Sequence, residues 1–229
     1  MKIKLSPSLE RADIMNMERE CRELQEAGVS YYHFDVMDYT LYGTTKLSPD
    51  MVPMIAAKFD VPIDVHITTK YPEEYLNAVY PNIKGNYLTF YAETTCGGMQ
   101  ICKEVLARGG KPAVSIYPGT PLCMVEEYFP FVSFVNLIVK DSRAGEKTIH
   151  PSMLEKIARL RKMLDERGYQ KVEIAVDGSI DYPDIKGLLD AGATILILGS
   201  KTAFKPGQSV QENIRQIKDY INELGYEAE

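Results

Sequence analysis

Tryptophan is absent from this chain, histidine occurs three times in 229 residues, and the four cysteines (Cys21, Cys96, Cys102, Cys123) include no CxxC pair. Cysteines scattered in this way exclude a disulfide-stapled secreted scaffold, and they fit free thiols in a reducing compartment. Long apolar runs are missing as well. The most apolar stretch, Phe129 to Val139, has 11 residues and contains Ser133 and Asn136, whereas a membrane-spanning helix needs about 20 apolar residues. The opening Met1-Lys2-Ile3-Lys4 meets Pro7 and a series of charges before any apolar segment develops, so no secretion signal is expected and a cytoplasmic protein is. Basic clusters are lacking too. Lys+Arg total 26 against 32 Asp+Glu, a net charge of −6, and no aromatic–basic interleaving occurs. This balance excludes nucleic acid as the main partner and leaves a small molecule.

What the chain does contain is alternation. Short β-branched runs at Ile3–Leu5, Ser30–Val36, Ile63–Ile67, Asn86–Tyr91, Pro112–Ile116, Val132–Val139, Val172–Val176 and Thr194–Leu198 read as eight strands. Amphipathic stretches at Arg11–Ala27, Pro72–Tyr80, Gly98–Arg108, Met124–Phe129, Pro151–Arg167, Tyr182–Ala191 and Val210–Leu224 read as helices between and after them. Gly28, Gly168 and Gly192 stand where left-handed helix caps are expected. Strands apolar on both faces, each followed by a helix, predict one α/β domain over residues 1–229, a parallel (β/α)8 TIM barrel. A doubly wound sheet is the alternative, but no GxGxxG follows the first strand and no low-complexity linker divides the chain.

In such a barrel the chemistry belongs at the C-terminal ends of the strands. His33 and Asp35 lie two apart on the second strand and share a face. His66 ends the third strand in the run Asp64-Val65-His66, and Asp177 ends the seventh in Val176-Asp177-Gly178-Ser179. Each alone has an ordinary explanation as a buried hydrogen-bonded histidine or a capping aspartate. Four together at equivalent heights are a donor set for one divalent metal ion, with Zn, Mn, Fe and Co all open. His150 falls in a loop and has no part in the set. Tyr31, Tyr32, Tyr39, Tyr42 and Tyr91 are expected around the mouth.

The blocks Leu5-Ser6-Pro7-Ser8-Leu9, His33-Phe34-Asp35-Val36-Met37-Asp38, Asp64-Val65-His66 and Val176-Asp177-Gly178-Ser179 resemble the ribulose-phosphate 3-epimerase family, in register over nearly the whole chain. The resemblance implies a ribulose-phosphate-binding barrel that holds one divalent metal by His33, Asp35, His66 and Asp177. It implies Asp35 and Asp177 as the acid–base pair that removes a proton from one face of a carbon beside a carbonyl and returns one to the other. It further implies Ser8 and Met37 on the substrate side, Gly178, Ser179, Gly199 and Ser200 as anion-binding loop residues, and a homo-oligomer.

Departures from the family pattern bear on the substrate. Thr68 replaces a methionine of the apolar wall, and Phe90-Tyr91-Ala92-Glu93 replaces a histidine-containing block. The Gly-rich phosphate loop after the sixth strand becomes Lys140-Asp141-Ser142-Arg143-Ala144-Gly145-Glu146-Lys147, which keeps one glycine. Lys140, Arg143, Lys147 and Lys201 are therefore expected as substitute cations for phosphate or carboxylate. The expected activity is metal-dependent inversion at C3 of a ketose phosphate such as ribulose 5-phosphate, through an enediolate. The alternatives are C3 epimerisation of a different or unphosphorylated ketose, and a non-catalytic barrel that binds a sugar phosphate. A metal-free decarboxylase or aldolase would place a lysine in the strand-end blocks, and 33–38, 64–66 and 176–179 contain none.

Overall fold

The computed structural model describes residues 2–141, 145 and 147–229. Nine strands form one parallel sheet: β1 Lys2–Pro7, β2 Tyr32–Met37, β3 Ile63–Thr68, β4 Tyr87–Tyr91, β5 Lys111–Ile116, β6 Phe134–Ile138, β7 Glu173–Asp177, β8 Ile195–Leu198 and β9 Glu227–Ala228. Their spatial order is β2-β3-β4-β5-β6-β7-β8-β1-β9. The sheet closes between its ends, because Ser8 bridges His33 in parallel and the Ser30 N–H donates to the Leu5 carbonyl at 3.0 Å. The eight expected strands thus build the expected barrel, and β9 adds a short pairing to the start of β1.

The helices are α1 Met17–Glu26, α2 Tyr39–Tyr42, α3 Met51–Ala56, α4 Glu73–Val79, α5 Gly98–Ala107, α6 Pro151–Glu166, α7 Tyr182–Asp190 and α8 Val210–Glu223. Their apolar stripes face the strands. On α8, Val210, Ile214, Ile217 and Ile221 recur at helical spacing and are all buried. Gly28, Gly168 and Gly192 adopt the left-handed φ that a cap after α1, α6 and α7 requires.

Two expected helices are corrected. The segment 124–129 forms two 3-10 turns, Leu122–Met124 and Glu126–Tyr128, because Pro121 and Pro130 bracket a stretch too short for a regular helix. The first helix begins at Met17, since Leu9–Arg11 and Ile14–Asn16 are 3-10 turns and the Asp13 side chain accepts from Met15 N. No helix among the described residues is long and apolar enough to cross a membrane.

Inside the barrel an apolar layer of Tyr31, Tyr87, Phe134, Ala113, Ala175, Ile195 and Ile197 fills the centre. Tyr31 packs edge-on against Tyr87 with ring centroids 4.7 Å apart. Tyr31 is therefore a barrel plug. Tyr32, one residue on, faces the opposite side and donates to the Cys21 carbonyl of α1 at 2.5 Å. Tyr39 is 70% exposed. Of the five tyrosines expected at the mouth, only Tyr42 and Tyr91 line the cavity described next.

Candidate metal centre and active site

Alternation along β2 and β3 places His33, Asp35, Asp64 and His66 on the barrel interior, and the register sets His33 opposite Asp64 and Asp35 opposite His66. One ligand atom each from His33, Asp35 and His66 lies within 4.8 Å of the others, and all three residues are buried. Among the described residues neither ring nitrogen of His66 has a hydrogen-bond partner; its Nδ1 stands 3.4 Å from Asp35 Oδ1. A buried imidazole with both nitrogens orphaned is costly unless something else ligates it. His33 is oriented from behind, because Nδ1 donates to Asp64 Oδ2 at 2.8 Å and leaves Nε2 facing Asp35 Oδ1 at 3.2 Å. Asp64 in turn accepts from the Thr89 hydroxyl at 2.6 Å. Carboxylate-backed imidazole of this kind is the usual support of a metal-ligating histidine. The residues present therefore fit a divalent cation.

Asp177 stands outside that trio. Its Oδ2 comes to 4.0 Å from His33 Nε2, its side chain is 24% exposed, and its Oδ1 accepts from Gly178 N at 2.6 Å. The two aspartates consequently differ in electrostatics. Burial and the charge of Asp35 push the Asp177 carboxyl up, against the opposing pull of His33 and His66. Burial also opposes ionisation of Asp35, but the His33 and His66 rings outweigh it and hold that carboxyl far below the usual range. Burial alone would lower His33, yet the Asp35 and Asp64 carboxylates raise it well above an ordinary imidazole. These groups titrate as a coupled set.

Around the trio opens a cavity of about 400 Å³ at the C-terminal end of the barrel. Ser8, Asp35, Met37, Asp177, Gly178, Ser179, Gly199 and Ser200 all line it, so the expected substrate-side residues converge on one space. The Ser8 hydroxyl donates to Asp35 Oδ2 at 2.8 Å. Thr68 also lines the wall, but its hydroxyl donates to the Val36 carbonyl at 3.0 Å, so it adds less polarity than its residue type implies. Tyr91 stands beside His66, with ring centroids 4.9 Å apart, and stacks on Tyr117 at 4.4 Å and 3°. The Tyr42 hydroxyl lies 3.1 Å from that of Tyr91 and accepts from that of Tyr117 at 3.0 Å. Glu93 serves the loop behind this wall, accepting from Tyr117 N at 2.9 Å. His150 caps α6, its Nδ1 accepting from Ser152 N, and takes no part in the site.

The expected cations are largely corrected. Lys140 does line the cavity, but its ammonium is clasped by Asp184 at 2.5 Å and donates to the Ser179 carbonyl at 3.1 Å, with 2% of the residue exposed. It ties the end of β6 to the turn after β7, where Ser179 holds a left-handed φ of 50°. A clasped ammonium of this kind is neither an open anion site nor an amine nucleophile. Lys147 is exposed. Lys201 is exposed as well and comes to 3.9 Å from Asp181; neither lysine lines the cavity. Arg143 lies outside the described residues. Among the described residues, the cations that line the cavity beside Lys140 are Arg11 and Lys46, and Glu10 lines it as well. Sequence reading gives these three and Asp64 no role. Asp64 could have been found, since it sits two residues before His66 and shares its face.

The chain is similar to known proteins in sequence and in fold. The model of the Ribulose-phosphate 3 epimerase family matches residues 4–203. A ribulose-phosphate 3-epimerase of Bacillus subtilis (strain 168) is 30% identical over 199 residues, covering 86% of this chain and 91% of that one. One from Eremothecium gossypii is 26% identical over 230 residues, covering 96% and 93%. Among solved structures, a ligand complex of KGPDC from Streptococcus mutans superposes with a TM-score of 0.74 at 14% identity, covering 97% of this chain and 98% of that one. A mutant tryptophan synthase alpha-subunit from Pyrococcus furiosus gives 0.66 at 16%, covering 96% and 97%. At such identities these structures speak to the barrel fold alone.

Proposed function

The chain belongs to the ribulose-phosphate 3-epimerase family of carbohydrate epimerases, and on that premise we propose that this single barrel inverts C3 of a ketose phosphate, ribulose 5-phosphate or a related pentulose or hexulose phosphate. The observation that carries the proposal is the buried His33–Asp35–His66 trio, with the Asp177 carboxylate lining the same cavity.

Inversion beside a carbonyl requires one group to take the C3 proton and a second to return one to the opposite face of the planar enediolate. Asp35 and Asp177 are the two carboxylates assigned to these roles. Ser8 fixes one oxygen of Asp35 by its 2.8 Å hydrogen bond, and Asp64 fixes the ring of His33. His33, Asp35, His66 and Asp177 would hold one divalent ion, whose Lewis acidity stabilises the negative charge that develops on the substrate oxygens. Met37, Ile138 and Leu198 form apolar wall that keeps water from the proton-transfer zone. Gly178, Ser179, Gly199 and Ser200 face the cavity from the turns after β7 and β8, the usual place for a phosphate in this barrel.

The loss of glycines between 140 and 147 favours a second reading, the same proton chemistry on a different or unphosphorylated ketose. Steady-state turnover of a panel of pentuloses and hexuloses, each with and without phosphate, separates the two. Asp177→Asn is expected to abolish turnover of whichever ketose is accepted while the protein keeps its fold by circular dichroism. Turnover retained in that variant would remove Asp177 from the acid–base role.

A further inference from the structure

Of the cations expected to meet the substrate's anionic end, those among the described residues do not offer the cavity an open one. Lys140 is clasped by Asp184, and Lys201 and Lys147 lie off the cavity lining. Arg11 is different. It belongs to the turn after β1, lines the cavity together with Gly178, Ser179, Gly199 and Ser200, and lies close to the β8 turn: a Cβ built on Gly199 would meet Arg11 Cγ at 3.8 Å. The backbone fixes this placement, since Arg11 N donates to the Ser8 carbonyl at 3.0 Å within the 3-10 turn Leu9–Arg11. The side chain is steered as well. Glu10, whose own side chain is only 9% exposed, binds Arg11 Nε at 2.5 Å, while the Arg11 side chain stays 47% exposed.

We propose that Arg11 is the specificity-determining contact for the anionic group of the substrate, oriented by Glu10 and working with the backbone turns after β7 and β8. An ion pair made through Nε leaves the terminal nitrogens of the guanidinium for an anion, and a planar fork suits phosphate better than a point charge does. The reduction of the glycine-rich segment after β6 to the single Gly145 then has a local counterpart in a donor offered from β1, Arg11. Glu10 and Lys46 also line the cavity. They give the lining groups of both charge signs, among which the Glu10 ion pair orients the Arg11 guanidinium.

The inference deepens the proposed ketose phosphate activity and rests on it for the substrate, but its test does not need turnover. Inorganic phosphate is titrated by calorimetry into the parent protein and into Arg11→Met, Arg11→Lys and, as a charge control, Lys201→Met. Arg11→Met is expected to weaken phosphate at least tenfold, Arg11→Lys to keep part of the affinity, and Lys201→Met to stay within twofold of the parent. In turnover, Arg11→Met should raise KM for the phosphorylated ketose with kcat changed less than threefold, and leave KM for its unphosphorylated counterpart unchanged. Phosphate affinity within twofold of the parent in Arg11→Met overturns the assignment, as does an equal loss in Lys201→Met or an equal rise in KM for both ketoses. If no ketose is turned over and the phosphate pattern still holds, the activity proposal fails and the Arg11 assignment stands.

Discussion

Asp64 offers a way to weaken the proposed metal centre without touching a proposed ligand. Its two oxygens accept from His33 Nδ1 at 2.8 Å and from Thr89 at 2.6 Å, and it is 2% exposed, so water cannot replace it. In Asp64→Asn the amide oxygen can still accept from His33 and the amide N–H can donate to the Thr89 oxygen. Only the charge is lost, and a neutral acceptor is worth about half a charged one. In Asp64→Ala both donors are left unpaired, at about 1–3 kcal/mol for a buried N–H. Loss of such a supporting carboxylate costs ~10–100-fold in metal affinity, or about 1.4–2.8 kcal/mol. We expect Asn near the lower end and Ala near the upper. Competition against a chromophoric chelator measures the affinity, and urea unfolding of the metal-free protein measures the stability term separately. Affinity within threefold of the parent in both variants would refute the claim that Asp64 holds His33 for a metal.

Other consequences are more quickly stated. Because Asp35 and Asp64 raise His33 well above an ordinary imidazole, the metal-free ring keeps a proton at neutral pH that binding must displace. Apparent metal affinity should therefore climb with pH, by about tenfold per unit for one proton released, until pH passes the raised value. Calorimetry in two buffers of different ionisation enthalpy counts that proton, and zero release contradicts the assignment. By the same sign, His33 adds stability to the metal-free protein that is fully present below about pH 6.5 and is lost as pH rises through the raised value. Gly178 has φ 120°, and a Cβ there would meet the Lys140 backbone O and N at 2.7 and 2.8 Å. Gly178→Ala is thus expected to cost at least about 1–3 kcal/mol in urea unfolding; an unchanged midpoint would show that the turn can move aside.

Much of the barrel is legible because its signals are local. Strands apolar on both faces, helices closed by Gly28, Gly168 and Gly192, and His33 and Asp35 two apart each follow from short-range periodicity. The failures come from what periodicity omits. It tells which face a residue takes but not its depth, so Tyr31 is a plug in the barrel and not part of the mouth. Nor does it tell what a charge meets across the fold: the partner of Lys140 is Asp184, 44 residues away. Arg11 is hidden for the opposite reason. It lies within an expected helix, and only the 3-10 turn that replaces that helix's first residues directs it toward the β8 turn.

Proton NMR in D2O tests the central claim most directly. The metal-reconstituted protein is incubated with ribulose 5-phosphate, and separately with unphosphorylated ketoses, while deuterium is followed at each carbon. The account predicts deuterium at C3 alone, in the phosphorylated substrate, with none in Asp35→Asn or Asp177→Asn. Exchange that persists in both variants, or its absence from every ketose with metal bound, would contradict it.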